Sequence, residues 1–396
     1  MCDSDAFQER GQSMQPSFYD FQLSTHIVFG PGSLQELGRN AGILGRRALL
    51  VTGQDFLEKS GILGRIHSLL RSQDIYTVLY NGIKPEPSLD MARKGMEIFR
   101  SENLDLVIGV GGGSVLDVAK AVAGLAGAPM LPEDYFQGRP LEGKGFPLIT
   151  IPTTAGSGAE VTINSVLTHN GLKQSIRSPY LAASLALVDP ELTLSLPPDI
   201  TAYTGMDALT QAIEAYTSNS ANALTDIYAQ EAILQIMSNL PKVYLNGEDI
   251  QGRSIMSLAS LMAGIALTNA RLGAVHGLAH SIGALSHKPH GLICAVLLPY
   301  VMRFNLAAVY EKYASIIHKM DSSSRFEDPI DMAAKFIKQI MHLKKKLGIP
   351  EHLRELGIEK NHFAAIIKDS LPSGSLKANP RAAGESELFS ILEESW

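Results

Sequence analysis

A chain of 396 residues, 45 % apolar and 19 % charged, has an ordinary globular composition and is too long for one hydrophobic core, so two domains are expected. The formal net charge of −6 argues against nucleic acid or an anionic membrane as the main partner. Cys2 and Cys294, the only cysteines, are too few and too far apart for a disulfide framework and fit a reducing compartment.

Residues 1–20 read as an N-terminal tail. Met1 to Ser17 is polar and lacks the apolar core of a secretory signal, which predicts a cytoplasmic protein. An edge strand follows, with 25–29 as its core-facing part. Apolar runs at 48–51, 75–79, 106–110 and 148–151 then read as buried strands, separated by helical patterns such as 89–101. Strand and helix alternating at this spacing predict a parallel, doubly wound α/β domain over 21–189.

Gly111-Gly112-Gly113 follows the third of these runs, and Ser114 is expected to open a helix reaching about Leu125. Glycines let backbone approach an anion closely, and the free N–H groups of a helix start face a pyrophosphate. Ser114 and Asp117 have the spacing of a capping box. Such a turn also occurs as a plain tight turn. A second loop, Pro152-Thr153-Thr154-Ala155-Gly156-Ser157-Gly158, again puts hydroxyls and glycines at a strand's carboxyl end, where open α/β sheets bind ligands. Two such loops favour nucleotide binding.

Beyond residue 190 the chain is rich in Ala, Leu, Ile and Met at helical spacing, so 190–396 is expected to be all-helical. The longest apolar run, 255–267, is too short to span a bilayer and reads as a buried helix. Asp207 and Gln211 stand at i and i+4 on one predicted helix, and His276 and His280 on another. His290 falls in a predicted Pro289-His290-Gly291 turn. Each histidine alone reads as well as a satisfied core residue; their company favours a cation. Imidazoles with one carboxylate suit Fe(II) or Zn(II), and two cysteines make a closed structural zinc site unexpected.

Taken together, Gly111-Gly112-Gly113-Ser114-Val115-Leu116-Asp117, Pro152-Thr153-Thr154-Ala155-Gly156-Ser157-Gly158-Ala159-Glu160, Gly205-Met206-Asp207-Ala208-Leu209-Thr210, His276-Gly277-Leu278-Ala279-His280 and Pro289-His290-Gly291 resemble the iron-containing, or group III, alcohol dehydrogenases, from about residue 20 to the C-terminus. The resemblance implies a dehydroquinate synthase-like superfold, with a cleft between a dinucleotide-binding domain and a helical metal and substrate domain. It assigns Asp207, His276 and His290 to the metal. It makes His280 a proton relay or substrate contact, and it sets Asn164 and Lys173 near the nicotinamide and ribose, beside Gly111, Gly112, Gly113, Ser114, Asp117, Thr153, Thr154 and Ser157. It also implies a homodimer or higher homo-oligomer.

Three positions depart from the family pattern. Gln211 stands where a histidine ligand is usual; an amide oxygen is a poorer donor to Fe(II), so weaker iron retention or a shift to zinc follows. Gly53 replaces an aspartate that would repel a 2′-phosphate, whereas Glu86 would act against one, which leaves the cofactor as NAD or NADP. The expected activity is reversible hydride transfer between NAD(P)H and a small primary alcohol, diol or aldehyde, with Fe(II) the first and Zn(II) the second candidate metal. The alternatives are a glycerol dehydrogenase-like or dehydroquinate synthase-like member of the same superfold, or a metal-free cofactor binder without turnover.

Overall fold

The computed structural model describes residues 18–321, 323 and 327–396; most of the expected tail, with Cys2, lies outside the described residues. Six strands, β1 (His26–Phe29), β2 (Arg47–Gly53), β3 (Tyr76–Ile83), β4 (Leu106–Gly111), β5 (Leu148–Pro152) and β8 (Leu185–Val188), form one sheet. Its order is β1-β8-β5-β4-β2-β3 and every pairing is parallel. β4 is buried along its whole length, as a strand covered on both faces must be.

Alternation along β2 shows how the two faces are covered. Leu49 and Val51 pack with Met96, Phe99, Val118 and Val122 from the Leu89–Ser101 and Gly113–Leu125 helices. Ala48 and Leu50 point the other way and pack with Leu37, Ala41, Ile66 and Leu70 from the Leu37–Leu44 and Ile62–Arg71 helices. One strand thus feeds two apolar layers, because successive side chains leave opposite faces.

The chain winds outward in two directions from β2. β2 pairs with β3 on one side and with β4 on the other, and β4 leads on to β5 and β8. The crevice at the carboxyl ends of β2 and β4, where Gly53 and Gly111 lie, is therefore the topological switch point of the sheet. A separate antiparallel hairpin, β6 (Asn164–His169) and β7 (Leu172–Arg177), hangs beside it.

No strand follows Val188 among the described residues. The Pro198–Thr217 helix starts with proline at its first position, where a missing N–H costs nothing. It is buried on nearly all sides among the Ala223–Leu245, Ile250–Ala270 and His290–Met320 helices. The last two are long and apolar enough to cross a membrane by length and composition, yet 67 % of the apolar window of each is buried inside the protein. They are core helices here.

Candidate active site

Two expectations about local structure are corrected. The helix after β4 begins at Gly113 with Gly112 as its N-cap, and no side chain caps it, so Ser114 and Asp117 form no capping box. Asp117 is drawn toward the hairpin instead. Its Oδ2 accepts the Val166 N–H at 3.1 Å, its backbone carbonyl accepts the Ser165 hydroxyl at 2.7 Å, and its Oδ1 lies 3.5 Å from Lys120 Nζ. Buried tertiary partners outcompete the local cap. Second, His290 is the first residue of the His290–Met320 helix rather than part of a turn. Pro289 supplies the N-cap, and its restricted φ of −53° already suits a helix start.

The two glycine-rich loops lie side by side. The Thr153 N–H donates to the Gly111 carbonyl at 3.1 Å, and Gly113 packs against Ser157. The second loop also touches the helical half. Gly156 packs on Thr204, three residues before Asp207, and Gly158, at φ +60°, lies backbone to backbone against Gly264. A side chain at either contact would push the halves apart, so the sequence brings the loop to the Pro198–Thr217 helix by omitting Cβ atoms.

That helix presents Asp207, Gln211 and Glu214 on one face, at i, i+4 and i+7. The Ala274–Ser286 helix adds His276 and His280, and the His290–Met320 helix adds His290 and Cys294. One donor atom each from Asp207, His276, His290 and Cys294 falls within 4.8 Å of the others. Asp207 Oδ1 lies 3.5 Å from His276 Nε2 and 3.9 Å from His290 Nε2. Asp207 Oδ2 accepts the Gln211 amide at 3.0 Å, whereas Asp207 Oδ1 and Gln211 Oε1 are buried with no hydrogen-bond partner. His280 stands next to this cluster, its ring centre 5.4 Å from that of His290.

Glu214 and Cys294 were not expected from the sequence. Glu214 Oε2 lies 2.6 Å from His276 Nδ1, and its Oε1 accepts the Val275 N–H at 2.6 Å. Its signal was its place one heptad after Asp207. Cys294 follows His290 by one helical turn, a relation that appears only once the helix is known to start at His290.

Electrostatics separate the three imidazoles. Burial pushes His280 down to about 3, with the Lys173 ammonium and His276 adding to the effect. Burial, Lys173 and the other two rings hold His290 well below the usual imidazole range. Burial also disfavours charge on His276, but Cys294, Glu214 and Asp207 outweigh it and raise that ring well above 6.5. Burial pushes the Cys294 thiol up to about 11, with His276 opposing. His280 and His290 are thus neutral near pH 7, each with a ring-nitrogen lone pair to offer.

The expected glycine and hydroxyl residues gather at the switch point. Gly53 and the Gly111-Gly112-Gly113 turn sit at the carboxyl ends of adjacent strands, with Ser114, Thr153, Thr154 and Ser157 beside them. Asn164 begins β6; its carbonyl accepts from Lys120 Nζ at 2.9 Å, and its Oδ1 is buried without a partner. Lys173 Nζ donates to both Glu86 oxygens, at 2.8 and 3.0 Å, so the Glu86 carboxylate is paired.

Comparison with known proteins shows the family of the chain. Residues 24–190 match the family described as iron-containing alcohol dehydrogenase, and residues 201–396 match the Fe-containing alcohol dehydrogenase family, C-terminal. The chain is 37 % identical over 390 residues to 1,3-propanediol dehydrogenase of Klebsiella pneumoniae, covering 97 % of this chain and 100 % of that one. It is 35 % identical over 386 residues to NADPH-dependent butanol dehydrogenase of Clostridium saccharobutylicum, covering 94 % and 97 %. The crystal structure of a 1,3-propanediol oxidoreductase shares the fold with a TM-score of 0.92 at 37 % identity, covering 96 % of this chain and 100 % of that one.

Proposed function

This chain belongs to the iron-containing alcohol dehydrogenase family, whose members oxidise alcohols and reduce aldehydes, and from that membership we propose that its cleft carries out reversible hydride transfer between NAD(P)H and a small primary alcohol, diol or aldehyde. The observation that carries the reading is the buried, unpartnered Asp207 Oδ1 set between two imidazoles. A buried carboxylate oxygen needs a countercharge, which the proton held on His276 supplies here and a divalent metal would supply in its place, so the donors fit such a metal. Asp207, His276 and His290 would hold that metal. A cation there would polarise a substrate oxygen as a Lewis acid, and a nicotinamide would give or take the hydride.

The chain's own residues do the remaining work. Gly111, Gly112, Gly113 and Ser114 offer backbone N–H groups at a helix start to a pyrophosphate, and Thr153, Thr154 and Ser157 supply hydroxyls on its other side. Asp117 holds the hairpin that carries Asn164 and Lys173 toward the nicotinamide and ribose. His280, neutral near pH 7, is placed to relay the hydroxyl proton between substrate and solvent, outward in alcohol oxidation and inward in aldehyde reduction. Glu214 keeps His276 Nε2 turned into the site.

Nothing at Gly53 or Glu86 would select NADH over NADPH. Gly53 carries no carboxylate to repel a 2′-phosphate, and the Lys173 ammonium offsets the charge of Glu86. We further infer a cytoplasmic homo-oligomer. Among the described residues β1 pairs only with β8, and its outer edge offers a place for the same strand of a second copy.

The test is a panel of alcohols and aldehydes assayed with NADH and NADPH after loading with Fe(II) or Zn(II), run beside His276→Ala. The variant should lose at least roughly 100-fold in activity together with its bound metal, since outer partners alone are worth about 10–100-fold. Full activity with unchanged metal content would remove the assignment.

A further inference from the structure

We propose that Cys294, as a thiolate, completes a four-donor metal site with Asp207, His276 and His290, that Gln211 only positions Asp207, and that the site therefore prefers Zn(II) to Fe(II). The inference rests on the metal-dependent reading above and specifies its donor atoms and its cation.

The first argument is geometric. Around a tetrahedral zinc, nitrogen and oxygen donors at about 2.0–2.2 Å stand roughly 3.4 Å apart, and a sulfur at about 2.3 Å stands roughly 3.6 Å from a nitrogen. Cys294 Sγ lies 3.5 Å from His290 Nε2 and 4.0 Å from His276 Nε2. Asp207 Oδ1 lies 3.5 Å and 3.9 Å from the same two nitrogens. All four separations fall within about half an ångström of a zinc shell. The two remaining separations are no longer than 4.8 Å, so the four donors already lie close to one coordination shell.

The second argument is the unpaired oxygen. Asp207 is 7 % exposed, and its Oδ1 faces the imidazoles with no hydrogen-bond partner. Its other oxygen is held by the Gln211 amide nitrogen at 3.0 Å. That bond orients the carboxylate and ties up the donor end of Gln211. The remaining amide oxygen is neutral and hard, a weaker ligand than thiolate for a borderline cation.

Charge and chemistry agree. At the donor atoms, Asp207 and a Cys294 thiolate would cancel the two charges of a buried dication, since Glu214 reaches it only through His276. On ligation the S–H proton passes to buffer and a sulfur lone pair makes the new bond, so no electrons are transferred. A bound cation reverses the effect of burial on a thiol, because a coordinating thiol is deprotonated outright. Thiolate donors select zinc, and zinc already stands above Fe(II) in intrinsic affinity.

The experiment uses the full chain loaded with Co(II). Wild type should show the near-ultraviolet sulfur-to-cobalt charge-transfer band. Cys294→Ser and Cys294→Ala should lose it, and Gln211→Ala should keep it with only about tenfold weaker binding. In anaerobic competition between Zn(II) and Fe(II), read by elemental analysis, wild type should take zinc, and Cys294→Ser should lose at least roughly 100-fold in zinc affinity. Circular dichroism checks that each variant is folded. Cobalt bound without the band, and as tightly in Cys294→Ala as in wild type, overturns the role of Cys294 and leaves the metal-dependent reading standing. Loss of binding in Gln211→Ala alone gives the fourth place to Gln211. A wild-type chain that takes up no cobalt, zinc or iron overturns both.

Discussion

Glu214 lies 2.6 Å from His276 Nδ1 and accepts the N–H of Val275 at 2.6 Å, so one carboxylate fixes both the ring and the backbone that carries it. With Nδ1 held by Glu214, Nε2 faces Asp207 and Cys294, and a metal there would displace the proton that the raised ring otherwise carries. The ring is held by a group that never touches the cation, and such outer partners set both orientation and basicity. Glu214→Gln should therefore weaken metal binding about 10–100-fold while the four donor residues stay intact. A metal titration of folded variant and wild type gives the answer; equal affinities would mean that packing alone orients His276.

Among the elements, the crossing of the Pro198–Thr217 and His290–Met320 helices decides whether the donors meet. Gly291 rests on the Tyr203 carbonyl and beside Asp207 Cβ, so a methyl group there collides with backbone that cannot rotate away. Gly291→Ala should separate the helices, at a cost on the order of 1–3 kcal/mol that exceeds the propensity gain of alanine. Denaturant unfolding should show the lost stability and a metal titration the displaced ligands. An unaltered midpoint would mean that the crossing is looser than described. The β6–β7 hairpin shows the opposite case, an element invisible in the sequence. Only Ile176 of β7 is buried, so the strand has no apolar alternation to read. Besides Leu167 and Ile176 in the core, the hairpin is held by Asp117 on β6 and Glu86 on Lys173, partners 49 and 87 residues away.

At the scale of the whole molecule, a buried polar knot joins the sheet, the hairpin and the second loop. Lys120 Nζ donates to Thr162 Oγ1 at 2.6 Å and to the Asn164 carbonyl, close to Asp117 and Glu160. Burial pushes Glu160 up to about 7 from the ordinary 4.5, only partly opposed by Lys120. Between those values the folded chain keeps a proton that the unfolded chain has released. Stability from this group is therefore complete below about pH 4.5 and is lost as pH rises to about 7, by roughly 3 kcal/mol. Glu160→Gln should flatten that part of the stability–pH curve and make the protein relatively more stable at pH 8. Parallel curves for variant and wild type, measured by denaturant unfolding across this range, would show that Glu160 ionises freely in the fold.

Periodicity and glycine placement determined a good deal by themselves. Buried strands at 48–51, 106–110 and 148–151 were legible because a strand covered on both faces must be apolar throughout, and the Leu89–Ser101 helix because its apolar residues recur at helical spacing. The pairing of Asp207 with Gln211, and of His276 with His280, follows from i, i+4 geometry alone. Tertiary structure decided which faces meet. Asp117 leaves its helix cap for Val166, Glu214 reaches His276 across 62 residues, and Cys294 joins the imidazoles only because the helix starts at His290. Local sequence sets the direction of each side chain relative to its own helix or strand. The cost of burying unpaired charge in the assembled core sets which of those side chains must find one another.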